Sequence, residues 1–324
     1  MTRSKILTRL CALMLCMAQP GVARATEGGQ FYGPIGGVDQ RAALIPQPGT
    51  YGLFQYVHSR SKEYVGPDDK THPGIPDFKL DFDMPNLSIL HVWDRTLWGG
   101  NVASILSVSY ARSCAAMGAG EVCESSLFDT YVEPLYWGRH LGLKGARPPS
   151  SDPATWQLPY GLSLGVGLAF MVPTGSYEVG RITQTSGNAL ITIPHVDFTY
   201  VTGKGTEFSG RISYNISQKN DDAGYKNGDV IGGDFSISQY FGLWQIGPSL
   251  TLARQLEDDK SDDPLIAASM LDGNRMTLVQ PGLVFTRYFP QKNLVTSLKL
   301  VTDLYDENRT KTDYGFVLRV GFKF

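Results

Sequence analysis

The segment YGLSLGVGLAF, residues 160–170, places a large apolar residue at every second position, with glycine, serine or alanine between them. Successive side chains of a β-strand point to opposite faces, so this segment predicts a strand with one apolar face and one face of small residues. In a membrane barrel the apolar face contacts lipid, whereas in a soluble sandwich it is buried. One strand therefore leaves both architectures open.

Segments with similar alternation recur along the whole chain. We expect twelve strands, near 49–61, 83–95, 101–112, 127–139, 158–171, 190–202, 206–218, 229–241, 243–256, 275–288, 293–305 and 312–324. Most exceed the ~5 to 6 residues of a soluble strand and reach the ~9 to 11 that a tilted strand needs to cross a bilayer. Long polar connections follow the odd-numbered strands, including 113–126, and short turns follow most even-numbered ones, apart from the proline-rich connection 140–157. This pattern predicts an all-β fold, an antiparallel up-and-down transmembrane barrel over residues 49–324.

Composition excludes two other classes of protein. The chain has 29 Lys and Arg against 31 Asp and Glu among 324 residues, a formal net charge of -2, so we expect no nucleic-acid partner. The sequence contains no apolar run of the ~18 residues that a transmembrane helix requires. These two observations leave the membrane β-barrel as the favoured class.

The N-terminus indicates an exported protein. Three basic residues within the first nine precede the apolar stretch 10–17, and Ala-Arg-Ala follows at 23–25. This order is that of a secretory signal, so we expect residues 1–25 to be removed and residues 26–48 to form an N-terminal periplasmic segment. Cys114 and Cys123 then remain in a compartment where disulfides persist, and we expect them to be bridged.

The chain ends on an alternating aromatic strand. Its apolar positions are Tyr314, Phe316, Leu318, Val320, Phe322 and Phe324. Such a strand has a lipid-facing side with aromatic residues near the interfaces, which places it in contact with outer-membrane lipid. The terminal pattern also resembles that of outer-membrane proteins generally, in which it addresses the barrel to the barrel assembly machinery. That resemblance gives Phe324, Phe322 and Tyr314 the role of an assembly signal.

The alternation also predicts which polar residues line the lumen. If Val196 faces lipid, then His195 and Asp197 face inward, and Arg211 and Ser213 do so on the next strand. A three-residue turn at 203–205 would place Asp197 across from Arg211 and His195 across from Ser213. An opposite-charge pair across two strands contributes roughly 0.2 to 1 kcal/mol. We expect four further lumen residues to form one charge-paired network, namely Asp234, Lys299, Asp303 and Arg319.

The meeting of His195, Asp197 and Ser213 also admits a hydrolase. The sequence shows neither a nucleophile elbow nor a second oxyanion donor, and Arg211 would engage Asp197. We therefore predict no catalytic residues and no enzyme. The histidines have no metal-ligand spacing, so no metal or other cofactor is expected.

Small residues on the inner face of the fifth strand are expected to leave space in the lumen. They are Gly161, Ser163, Gly165, Gly167 and Ala169. Uncharged polar residues such as Gln245, Ser249 and Thr251 would give the ninth strand a mildly polar wall. Without clustered Arg and Lys, such a lumen should neither select ions sharply nor bind phosphates.

Three motifs carry a resemblance to a known family. They are IPQPGTYG at 45–52, GLAFMVPTGSY at 167–177 and KNDDAGYKNG at 219–228. In this order, and within a twelve-strand pattern, they resemble the outer-membrane family named for the meta-cleavage pathway of phenol degradation. The resemblance runs from about residue 27 to the C-terminus. It implies a transporter barrel in the bacterial outer membrane that admits small apolar or aromatic solutes.

The expected function is thus an outer-membrane channel for passive uptake of small hydrophobic or aromatic compounds. Two alternatives from other classes stay open, a membrane-embedded lipid-modifying barrel enzyme and a structural or surface-binding barrel. A conductance or uptake assay separates the channel from both, and lipid turnover identifies the enzyme.

Overall fold

The computed structural model describes residues 36–75, 77–118, 120–142, 160–181, 183–264, 267 and 275–324. Its strands are β1 (Gly49–Val65), β2 (Lys79–Leu97), β3 (Gly100–Met117), β4 (Gly120–Leu127), β5 (Thr130–Gly142), β6 (Gly161–Val172), β7 (Ile191–Val201), β8 (Thr206–Ser217), β9 (Tyr225–Lys226), β10 (Val230–Phe241), β11 (Trp244–Gln255), β12 (Lys260–Ser261), β13 (Thr277–Phe289), β14 (Leu294–Val301), β15 (Tyr305–Glu307) and β16 (Arg309–Lys323). Two short 3-10 helices lie at Pro67–Asp69 and Pro290–Lys292. No helix in the described part of the chain is long and apolar enough to cross a membrane.

Twelve of these strands close into one antiparallel barrel. Neighbours in sequence pair with one another all the way round, and β16 completes the ring by pairing with both β14 and β1. The short strands lie at one end: β4 extends the sheet beside β3, β15 continues the line of β14 along β13, and β9 pairs with β12. The twelve-strand antiparallel barrel predicted from the alternation is confirmed.

Strand lengths differ from the prediction at the long-loop end. The expected loop 113–126 is largely strand, because β3 continues to Met117 and turns back as β4. The pairs between β2 and β3 likewise run out to Lys79 and Ala116. These strands keep pairing beyond the ~9 to 11 residues that cross the bilayer. Polar composition alone does not reveal this extension, since a strand in water needs no apolar face.

The outer and inner faces of the barrel have opposite character. Along β7, His195 is 4% exposed, whereas the neighbouring Val196 is 53% exposed. The same inversion recurs on other strands, where leucine, isoleucine, phenylalanine and tryptophan are exposed on the outside while serine, threonine and acidic residues are buried inside. An apolar exterior around a polar interior is stable only where lipid replaces water as the outer solvent.

The last strand seals the barrel with its aromatic side outward. Tyr314 and Phe324 are exposed, and the Phe322 and Phe324 rings meet at a centroid distance of 5.0 Å. The backbone N–H of Phe324 donates to the carbonyl of Thr50 at 3.0 Å. The role of Phe324, Phe322 and Tyr314 as an assembly signal stays a prediction.

The N-terminal segment reaches into the barrel, a position that the sequence left open. Residues 36–43 contact side chains of the inner wall, and Ala42 and Ala43 are buried. The expected signal 1–25 and the start of the segment, 26–35, lie outside the described residues. The segment is drawn inward because the wall offers polar side chains that satisfy its backbone groups.

Candidate functional site

A buried polar network lines the lumen on β5, β7 and β8. Asp197 lies opposite Arg211, and His195 lies opposite Ser213, which is the register expected from the sequence. The Nε and Nη2 groups of Arg211 donate to the two oxygens of Asp197 at 2.7 and 2.8 Å. Nδ1 of His195 is 3.2 Å from Asp197 Oδ1, and its Nε2 is 2.8 Å from Glu133 Oε1. The network is thus held by direct contacts between polar side chains that are buried or, for Arg211, 12% exposed.

Glu133 is the member of this network that sequence reasoning missed. The strand around it was expected, but the pairing of β5 shifts register between Val132 and Leu135 on its β6 side. Such a bulge re-aims one side chain, and Pro134 favours it because proline lacks the N–H of a regular ladder. Glu133 is fully buried and accepts a hydrogen bond from Tyr131 Oη at 2.8 Å. An acidic residue directly before a proline within an apolar strand was the available signal.

The small residues of β6 make room for this network and do not leave open space, contrary to the expectation. A Cβ on Gly167 would overlap Glu133 Oε1 and His195 Nε2, and a Cβ on Gly165 would overlap the hydroxyl of Tyr136. The volume that the glycines vacate is therefore occupied by side chains of neighbouring strands. Close packing favours this outcome, because an empty polar cavity would leave buried groups without partners.

A second acidic group, Glu207, lies nearer the short-turn end of β8. It accepts hydrogen bonds from Tyr240 Oη and from the backbone N–H of Arg41, each at 2.8 Å. The guanidinium of Arg41 lies over the ring of Tyr288, 5.3 Å from its centroid. Sequence reasoning missed Glu207, although it shares the inward parity of Ser209 and Arg211.

On the opposite wall, Lys299 and Arg319 hold the carboxylate of Asp39. Lys299 Nζ is 3.1 Å from Asp39 Oδ2, and Arg319 Nη1 is 3.4 Å from Asp39 Oδ1. Burial acts to raise the pKa of Asp39, but attraction to Arg319 and Lys299 outweighs it and lowers the pKa below its usual value. Asp39 therefore remains ionised inside the barrel.

Residues 36–45, named here the plug segment, are anchored to the wall mainly through their backbone. The N–H groups of Ala42 and Ala43 donate to the hydroxyl oxygens of Ser209 at 2.8 Å and Thr199 at 3.0 Å. Tyr136 Oη donates to the Ala42 carbonyl at 2.9 Å. Four further hydrogen bonds anchor the segment. Asp234 accepts from the Gly36 N–H, and Ser236, Lys299 and Thr286 donate to the Asp39 carbonyl, the Gly36 carbonyl and Gln40 Oε1, respectively. Of the polar residues expected on the ninth strand, Gln245 instead contacts Ser238 and Tyr288. Thr251 donates to Asp234, which accepts from the plug segment.

The expected single network of four residues is divided in two. Asp234, Lys299 and Arg319 all contact the plug segment. Asp303 instead lies near the long-loop end, where it is 3.0 Å from Arg309 and accepts from the backbone N–H of Thr312 at 2.7 Å. Asp303 follows the end of β14, whereas the other three lie within strands, so alternation along each strand could not show which of the four meet.

Asp306 joins Asp303 in sharing Arg309. Asp306 is fully buried and ion-paired with the same guanidinium. Burial raises the pKa of Asp306 to about 7; attraction to Arg309 opposes this rise, and repulsion from Asp303 adds to it. This cluster is therefore a titratable site near neutral pH on the long-loop side.

Two further expectations concern the cysteines and metals. Cys114 and Cys123 lie opposite each other on β3 and β4 and form a disulfide. Among the described residues there is no group of three His, Cys, Asp or Glu that could hold a metal ion.

A closed twelve-strand barrel with an apolar exterior and a polar lumen defines the class of outer-membrane barrels. The chain belongs to a protein family that is described as the MetA-pathway of phenol degradation. The model of that family matches residues 65–275. No curated protein matches this chain. These findings place the protein in the bacterial outer membrane as a channel-like barrel.

Among solved structures, the fold is similar to an outer membrane channel from Pseudomonas putida F1. The TM-score is 0.71 at 17% identity, covering 88% of this chain and 98% of that chain. The β domain of the Bordetella autotransporter BrkA gives a TM-score of 0.46 at 10% identity, and the match covers 85% of this chain and 100% of that one. The NanC porin gives 0.41 at 10% identity, covering 84% of this chain and 100% of that one. The first of these comparisons supports the fold.

Proposed function

We propose that the protein is a channel for passive uptake of small hydrophobic or aromatic compounds. One observation carries the proposal. The interior of the barrel holds residues 36–45, a stretch of chain that belongs to none of the twelve strands. A lumen that admits a stretch of backbone is wide enough to admit a small solute once that stretch moves.

The plug segment can move without breaking the barrel. Its contacts with the wall are hydrogen bonds, ion pairs and the packing of Ile45 beside Tyr136. The strand ladder is formed between the strands themselves. Each hydrogen bond contributes only about 0.5 to 1.5 kcal/mol net, because water competes for the same groups. Displacement of the segment therefore exchanges these wall contacts for contacts with water and leaves every ladder bond in place.

The substrate class is supported by the wall and by the family. Serine and threonine hydroxyls line the wall where the plug segment is anchored, and Arg211 stays paired with Asp197 when the segment moves. An uncharged solute needs no opposite charge from such a wall in order to pass. The family description refers to phenol degradation, and the Pseudomonas putida F1 relative is described as an outer membrane channel.

The hydrolase alternative is not favoured by the geometry of His195. Its two ring nitrogens contact Glu133 and Asp197, and neither contact involves Ser213. A general base must be within hydrogen-bond reach of the nucleophile that it activates. Lipid turnover is therefore expected to be absent.

The test is solute flux into liposomes that contain the purified barrel. We expect benzyl alcohol to enter faster than into protein-free liposomes, and faster still when residues 36–45 are replaced by a short Gly-Ser linker. Heat modifiability on a gel confirms that both barrels are folded. Flux equal to that of empty liposomes in both forms, or lipid cleavage by the intact protein, would overturn the proposal.

A further inference from the structure

Two cations inside the lumen bind a carboxylate that the chain itself supplies. The side chains of Lys299 and Arg319 are 2% and 12% exposed, and that of Asp39 is 4% exposed. Lys299 and Arg319 belong to β14 and β16, whereas Asp39 belongs to the plug segment. The two cations are therefore fixed in the wall, and the anion is carried by the part that can leave.

The wall has no full substitute for the Asp39 carboxylate. In the described part of the chain, the other polar contacts of Arg319 are the neutral Gln55 Oε1 at 3.1 Å and the Gly37 carbonyl at 3.4 Å. Asp234 interacts electrostatically with Lys299, but its Oδ1 already accepts from Thr251 and from the plug segment. When Asp39 leaves, two neighbouring cations share at most one wall carboxylate. Cations that line a lumen with low-dielectric walls attract anions, so the vacated site should bind another one.

Apolar side chains flank the two cations. Residues two positions apart on a strand share a face, so Val317 lies beside Arg319 on the inner wall, and Leu53 lies beside Gln55 on the paired strand β1. On the plug side, a Cβ added to Gly37 would meet no described atom within 4 Å. The site therefore combines a binding position for an anionic head with an adjoining apolar surface.

We propose that Lys299 and Arg319 form a carboxylate-binding site of the channel, which Asp39 fills at rest and from which small aromatic or aliphatic monocarboxylates displace it. The proposal rests on the proposed function, because it names a substrate class for the same lumen. Arg recognises carboxylates through charge-assisted hydrogen bonds, and Lys supplies a second positive charge. The Asp39 side chain is in this view an internal competitor of the solute.

The test is binding of benzoate to the purified, detergent-folded full chain by titration calorimetry. Asp39→Asn removes the internal competitor, so we expect benzoate to bind at least about tenfold more tightly than to the wild type. Asp313→Asn is the matched control, since Asp313 pairs with Lys62 and its side chain is 41% exposed. It should bind benzoate as the wild type does. Adding Arg319→Gln to Asp39→Asn should remove the gain.

Each other result counts against the site. Equal benzoate affinity of Asp39→Asn and wild type would overturn the proposal. Benzoate binding by Asp39→Asn with Arg319→Gln that is as tight as binding by Asp39→Asn alone would also overturn it. Lys299→Met in the Asp39→Asn background repeats the test if the Arg319 variant does not fold, as judged by heat modifiability. Benzyl alcohol flux is measured in the same preparations. If that flux persists while Asp39→Asn binds benzoate no more tightly than the wild type, only the carboxylate site is refuted. If the flux is absent from the wild type and from every variant, the proposed function is refuted.

Discussion

Arg211 and Asp197 form a bidentate ion pair across two strands of the barrel, with both donor nitrogens within 2.8 Å of the carboxylate. Asp197 is fully withdrawn from water and also contacts His195. A cross-strand pair on an exposed face contributes roughly 0.2 to 1 kcal/mol, which is the value expected from the sequence alone. Burial changes this estimate, because the Arg211 side chain is only 12% exposed and would have little access to water after losing its partner.

Asp197→Asn should therefore be strongly destabilising. We expect a loss of about 3 to 5 kcal/mol in the free energy of unfolding, because Arg211 would remain buried without its carboxylate. Urea unfolding of the detergent-folded barrel measures this loss. Asp313→Asn, which removes an exposed carboxylate, should change stability by less than about 0.5 kcal/mol. Similar stabilities of the two variants would show that Asp197 is hydrated.

Gly167→Ala should disturb the same network from the neighbouring strand. The added methyl group would overlap Glu133 and His195, both of which are buried and cannot swing into solvent. Overpacking of this kind costs about 1 to 3 kcal/mol. Gly203→Ala is the matched control in a short turn, where no described atom lies within 4 Å of the new methyl group. Refolding yield and unfolding free energy should fall for Gly167→Ala only.

The Asp306 cluster should make stability depend on pH between 4 and 7. The pKa of Asp306 is about 7 in the folded state, above the unfolded value of 3.8, so the folded state retains a proton that the unfolded state has lost. The stabilisation is fully present below pH 3.8 and is lost as the pH rises through 7. Its slope reaches about 1.4 kcal/mol per pH unit at most.

The difference between wild type and Asp306→Asn isolates this group from the other carboxylates. Relative to the variant, the wild type should lose stability as the pH rises from 4 to 7. Parallel pH profiles of the two proteins over this range would mean that Asp306 is ionised throughout.

The Cys114–Cys123 disulfide should restrain the β3–β4 hairpin and leave the barrel intact. The bridge closes a short loop, and such loops contribute about 2 to 3 kcal/mol, mainly by restricting the unfolded chain. Replacing both cysteines with serine should therefore speed proteolysis within 113–126 without changing heat modifiability. Mass spectrometry of the mature, non-reduced protein should detect no free thiol. Two free thiols would contradict the bridge.

The sequence by itself determined the features that depend on local alternation. The period of two along each strand gives the number of strands, the outward apolar face and the inward face of β7, because neighbouring side chains of a strand must point in opposite directions. It also gives the pairing of Asp197 with Arg211, since two inward faces joined by a short turn at 203–205 can meet in few registers.

Only the tertiary structure decided what fills the lumen. Asp39 meets Lys299 and Arg319 from more than 250 positions away in the chain, and the plug segment has no periodicity that would mark it as an interior element. The bulge that turns Glu133 inward depends on pairing with two neighbouring strands, and the space vacated by Gly165 and Gly167 is filled from other strands. Contacts across a closed barrel depend on which walls face each other, and no local pattern in the chain encodes that geometry.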